Sequence, residues 1–153
     1  RLCEAGSGFV TVSYGGWDMH GKIAESMNKR APQLDHAVNA LIEDVHQRGL
    51  EKDILLVVSG EFGRTPKINA RGGRDHWGAC GSVFFTGGGV QRGQIIGQSD
   101  AQAAYPLTRG YGPADLAASI YAAVGINQDD RVKDFQGRPV GILDHGNPIA
   151  ELF

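Results

Sequence analysis

Ile54-Leu55-Leu56-Val57-Val58-Ser59-Gly60-Glu61-Phe62-Gly63-Arg64 is the stretch on which the fold reading turns. Its first five residues are apolar without alternation, the pattern of a strand buried on both faces, as in a parallel sheet with helices on each side. Gly60 stops the run, and Glu61 stands at its tip.

Upstream, Phe9-Val10-Thr11-Val12-Ser13-Tyr14 is β-branched and aromatic and ends at Gly15-Gly16, which predicts another strand. Between the two, Gly15 to Ala31 reads as a long polar loop and Pro32 as the first turn of a helix. Leu34, Val38, Leu41, Ile42 and Val45 then recur at helical spacing, and Gly49-Leu50 predicts a left-handed cap. Strand, helix and strand in that order predict a β-α-β unit with a right-handed crossover. Downstream, Ser82 to Thr86 reads as a third strand and Gln94 to Gly97 as a short edge strand. Gly112-Pro113 opens a second helix that stops at Gly125, and the chain ends in a turn-rich tail holding Ile142, Leu143, Ile149 and Leu152. The expectation is one α/β domain over residues 1–153, a mostly parallel sheet flanked by helices.

Composition narrows the functional classes. Hydrophobic residues make up 41% and charged residues 21% of the 153, the balance of an ordinary globular domain. A formal net charge of -2 offers no long-range attraction to nucleic acid or an anionic membrane. No apolar run approaches the roughly 20 residues of a spanning helix. Cys3 and Cys80 form no Cys-x-x-Cys pair and read as ordinary buried thiols, with a single disulfide between them as the alternative. The first residue is Arg1, and Arg1 to Gly6 reads as the last turn of a helix, so the chain is expected to be an excerpt of something longer.

The chemistry lies in the loops. Gly15-Gly16-Trp17-Asp18-Met19-His20 follows the first strand, Glu61 follows the second, and Arg74-Asp75-His76-Trp77 lies in the loop beyond. Ligands bind outside the carboxyl ends of the strands of open α/β sheets, so Asp18, His20, Glu61, Asp75 and His76 are candidate ligands of one metal site. A mixed carboxylate and imidazole set suits Zn, Mn or Fe better than Ca. The competing reading is that these acids cap backbone amides in Gly-rich loops. Arg64, Lys67, Arg71 and Arg74 crowd the same loop. Arg64 is the candidate contact to an anionic substrate, through the forked geometry of its guanidinium.

Val12 to Gly21, Gly60 to Pro66 and Gly73 to Trp77 resemble a large bacterial family, a domain of unknown function numbered fifteen hundred and one and described as sulfatase-like. The resemblance runs along nearly the whole chain and implies a link to the alkaline phosphatase superfamily, which includes sulfatases. It implies a C-terminal part of that fold, with Asp18 and His20 as one ligand pair, Glu61 as a further acid and His76 as a later imidazole. Phe62 stands where that superfamily carries a ligating imidazole or amide. The implied activity is hydrolysis of sulfate or phosphate esters on anionic small molecules or glycans, with a divalent metal (Zn, Mn or Ca). The nucleophile would come from an N-terminal half of the same protein. The alternative is a non-catalytic anion- or glycan-binding module. An extracytoplasmic home, periplasmic or secreted, is implied by the resemblance alone.

Overall fold

Leu55–Ser59 forms the first strand (β1), one residue along from the predicted run, in the computed structural model, which describes residues 1–153. Its partner is Val83–Gly87 (β4), and the pair is antiparallel, with Leu55 opposite Gly87 and Ser59 opposite Val83. Two smaller antiparallel ribbons complete the β structure. Gly63–Arg64 (β2) pairs with His76–Trp77 (β3), and Arg131–Lys133 (β5) with Pro139–Gly141 (β6). The helices are Ile23–Gln47 (α1) and Pro113–Ala123 (α2), with a 3-10 turn at Ala150–Leu152.

This corrects the expected mostly parallel sheet flanked by helices. Parallel neighbours need a crossover of a dozen or more residues, usually a helix. None lies between β1 and β4. The chain between them holds only the β2–β3 ribbon and loops, and it returns to the end it left. Phe9 to Tyr14 pairs with no strand, so the β-α-β unit is absent, and Gln94 to Gly97 is likewise not a strand.

The apolar run of β1 is nonetheless flanked on both faces. On one side Leu41, Ile42 and Val45 of α1 line a 190 Å³ cavity together with Ile54, Leu56 and Thr86. On the other, Leu55 and Phe85 pack on the cluster of Val90, Ile149 and Leu152. The backbone of the tail is tied in by Gln91, whose N–H donates to Leu152 O at 2.8 Å. Double-sided burial demand therefore came from a helix and a tail, not from two helical layers.

Both helix stops are where glycine was expected. Gly49 takes φ +67° and Gly125 φ +78°. Leu50 donates to Val45 O and Ile126 to Tyr121 O, each at 2.9 Å, closing the six-to-one bond of a left-handed cap. The start of α1 was not expected: it begins at Ile23 and carries Pro32 inside it. Residues Ala24 to Ala31 are mostly good helix formers, with no apolar stripe to announce them. No helix is long and apolar enough to cross a membrane.

Candidate metal centre

The β2–β3 ribbon sets Arg64 directly opposite His76. The intervening loop is bound to itself. Thr65 N–H donates to Asp75 O at 2.9 Å, Asp75 N–H to Thr65 Oγ1 at 3.1 Å, and Arg74 Nη1 to Thr65 O at 2.7 Å. Asn69 Oδ1 accepts from the N–H groups of Arg71 (2.9 Å) and Gly73 (3.1 Å), the local turn chemistry of an Asn side chain.

The segment carrying Asp18 and His20 lies along this loop. Arg74 N–H donates to Met19 O at 3.1 Å, and the loop carbonyls of Arg71 and Gly72 accept from Lys22 (3.1 Å) and Ile23 (2.8 Å). The last two bonds satisfy N–H groups at the start of α1, which has no side-chain cap. Gly73 makes the approach possible. A Cβ there would stand 2.1 Å from His20 C and 2.2 Å from Gly21 N, backbone atoms with no room to yield.

Three donor atoms converge. His20 Nε2 lies 3.0 Å from Asp18 Oδ1 and 3.1 Å from His76 Nε2, which in turn lies 2.8 Å from Asp18 Oδ1. Asp75 sits behind them: its Oδ1 is 2.6 Å from His20 Nδ1. A carboxylate only accepts, so Nδ1 carries the proton and the lone pair of His20 is at Nε2. Asn69 Nδ2 holds that carboxylate at 3.1 and 3.2 Å and also donates to His20 O at 3.1 Å.

Arg64 does not stand free. Its Nη2 donates to Asp18 Oδ1 at 2.7 Å and to Trp17 O at 3.3 Å. Donation from His76 and then Arg64 holds the Asp18 carboxyl down at about 2, and His20 and Asn69 hold Asp75 below its usual range. Phe62 lies against the His76 ring, with centroids 4.4 Å apart. Glu61 is exposed and makes no side-chain hydrogen bond or ion pair, so the structure does not bring it into the cluster.

A family model described as "Protein of unknown function (DUF1501)" matches residues 1–153. The chain belongs to this family. No curated protein and no solved structure matches the chain. Spacing had put five candidate ligands at one place in this DUF1501 chain, and the fold gathers Asp18, His20 and His76 as donors with Asp75 behind. Sequence reasoning missed Asn69. Its signal was present in Asn69-Ala70-Arg71-Gly72-Gly73, an Asn ahead of glycines that reads as a side-chain-closed turn.

Proposed function

We propose that Asp18, His20 and His76 hold a divalent metal ion, and that the chain is the metal-binding part of a sulfatase-like metallohydrolase acting on sulfate or phosphate esters. What supports the metal is proton counting. Asp18 Oδ1 accepts only, and a ring nitrogen that donates cannot also accept. With one ring proton among the three atoms, one contact lacks a hydrogen. With two, both protons go to Asp18 Oδ1 and the 3.1 Å contact between the two rings has no acceptor. A single cation satisfies all three contacts.

The donor set suits Zn or Mn, and the sequence expectation of Ca fits less well because two donors are imidazoles. Bound there, the ion would supply positive charge to the oxygens of an anionic ester. Asp75 fixes the tautomer and aim of His20, as carboxylates do for metal-ligating histidines. Arg64 works through Asp18, its charge partner, rather than as a free anion contact.

The ester-hydrolase reading also calls for a nucleophile and a covering segment from an N-terminal half of the same protein. Two observations favour that. Thr65, the hydroxyl in the ligand loop, is occupied by Lys67 O and Asp75 N–H. The chain exposes 11043 Å², whereas a compact chain of 16.3 kDa exposes roughly 7,500 Å².

The absence of a hydroxyl against the donors favours the second reading as well, a module that binds an anion or glycan without turning it over. Assay of the complete protein on aryl sulfate and aryl phosphate, before and after chelation, separates them. Turnover lost with chelator and restored by metal supports the hydrolase. Metal uptake without turnover of either ester moves the binding module ahead.

A further inference from the structure

We infer that Phe62 is a specificity residue of the site: its exposed ring receives a flat ring that bears the anionic group directly. The ligand class is then a ring-borne ester, aryl or glycosyl, rather than one carried on a short alkyl chain. This rests on the metal and anion reading above and deepens it.

Four side chains close a circuit around the open side of the cluster. Asp18 Oδ1 lies 2.8 Å from His76 Nε2, and the His76 ring lies against Phe62 with centroids 4.4 Å apart and planes tilted by 43°. The Arg64 guanidinium carbon is 5.9 Å from the centre of the same Phe62 ring, and Arg64 Nη2 donates back to Asp18 Oδ1 at 2.7 Å. Two members of the circuit are donors, so Phe62 stands one side chain away from the ion. Asp18 is 64% and His76 50% exposed, whereas His20 is 33% exposed and backed by Asp75 and Asn69. An incoming anion therefore meets the donors on the side where Phe62 stands.

Phe62 has no lone pair to give a metal and no proton to transfer. What it presents is a ring face. The rings of His20, His76 and Phe62 form a row, with centroids 4.8 and 4.4 Å apart, and Phe62 is the exposed outer member. Aromatic rings pair edge to face or offset at about 4.5–7 Å between centroids. Because His76 both faces the ion and touches Phe62, a ring joined directly to an ion-bound anion can pair with Phe62 in that way, and a methyl group cannot. The position is fixed rather than mobile: a Cβ on the next residue, Gly63, would collide with Cys80 O, so the backbone beside Phe62 is packed against another segment. Arg64 is committed to Asp18 and Glu61 makes no contact, which leaves Phe62 as the side chain of this loop free to meet the organic part of the ligand.

The test is titration calorimetry on the complete Zn-loaded protein with methylphosphonate, phenylphosphonate and cyclohexylphosphonate, probes whose carbon–phosphorus bond needs no turnover. A ring-bearing probe should bind about 2–12-fold tighter than methylphosphonate, the worth of one aromatic pair. Phe62→Ala should remove that gain and leave methylphosphonate affinity and Zn content unchanged. Phe62→Leu, which keeps an apolar side chain on His76 without a flat face, should keep Zn and reduce the gain. A larger gain for the phenyl probe assigns an aryl ester, and a larger gain for the cyclohexyl probe assigns the C–H face of a sugar. No gain in the parent, or a gain that survives Phe62→Ala, would overturn the inference and leave the metal reading standing. Loss of Zn from both variants would also overturn it, since Phe62 would then hold His76 rather than the ligand. A Zn-loaded parent that binds none of the three probes would overturn the anion reading with it.

Discussion

Around Asp75, side chains and backbone of residues 17–23 and 65–76 are cross-tied by short polar contacts, while α1, 25 residues long, has no buried side chain at all. The two regions touch where the loop carbonyls of Arg71 and Gly72 receive the first N–H groups of α1. Only 8 of 153 residues are buried, and of the segments that carry Asp18, His20 and His76 only Met19 and Gly73 are among them. Apolar burial therefore cannot be what fixes the donors. Their geometry is set by hydrogen bonds whose directionality places atoms to a few tenths of an ångström, and by a glycine that lets two backbones meet. The scaffold of α1, β1 and β4 is held by apolar contact that stays half-open.

This contrast orders the expected effects of substitution. The largest belongs to Gly73→Val. A side chain there collides with His20 C and Gly21 N, so the donor triangle breaks, and metal content by elemental analysis should fall to background while far-UV circular dichroism keeps the helical signal of α1 and α2. Next is Asn69→Ala, which frees the Asp75 carboxylate and with it the aim of His20. Loss of such an outer partner costs about 10–100-fold in metal affinity, read by competition with a chelating dye. An affinity unchanged within error would mean that the loop holds His20 without Asn69.

Outside the site the effects shrink. Asp115 accepts from Asn147 N–H and Gly112 N–H, each at 2.9 Å, and these bonds hold its carboxyl below the usual range. Its contribution is thus present above the ordinary carboxylate range and is lost as pH falls through the lowered folded value. Asp115→Asn should cost roughly 1 kcal/mol at neutral pH by urea titration, with the gap to the parent closing in acid. Metal uptake should not change. The smallest effect is expected of Leu41→Ala on α1. A fully buried Leu→Ala costs about 2–5 kcal/mol, but Leu41 is 43% exposed and should cost less than about 1 kcal/mol. A large loss there would show that α1 is buried in the protein as it exists in solution.

The sequence was most legible where a residue type carries its own geometry. Gly49 and Gly125 stop helices because a left-handed residue is needed there, and the strands at Ile54 to Val58 and Ser82 to Thr86 lie within one residue of their observed places. Strand direction was not legible. An apolar run without alternation says that both faces are covered, not by what, and α1 and the C-terminal tail cover them here. The nine residues Ile23 to Ala31 were read as loop because α1 begins on the carbonyls of a distant loop rather than on a local cap. At the site, Asp18-x-His20 and Asp75-His76 could be picked out by residue type, but which nitrogen of His20 faces which carboxylate depends on the Asn69 turn and on Gly73. Glu61 had the right chemistry and a place at a strand tip, yet no contact draws it in.

The central claim is that Asp18, His20 and His76 are held, ready to bind, by a polar network. The most direct test is elemental analysis of the purified protein after dialysis against trace Zn, Mn and Fe, beside the folded His20→Ala/His76→Ala variant. The account predicts close to one ion per chain in the parent and none in the variant. A parent that retains no metal, or a variant that retains as much as the parent, would contradict it.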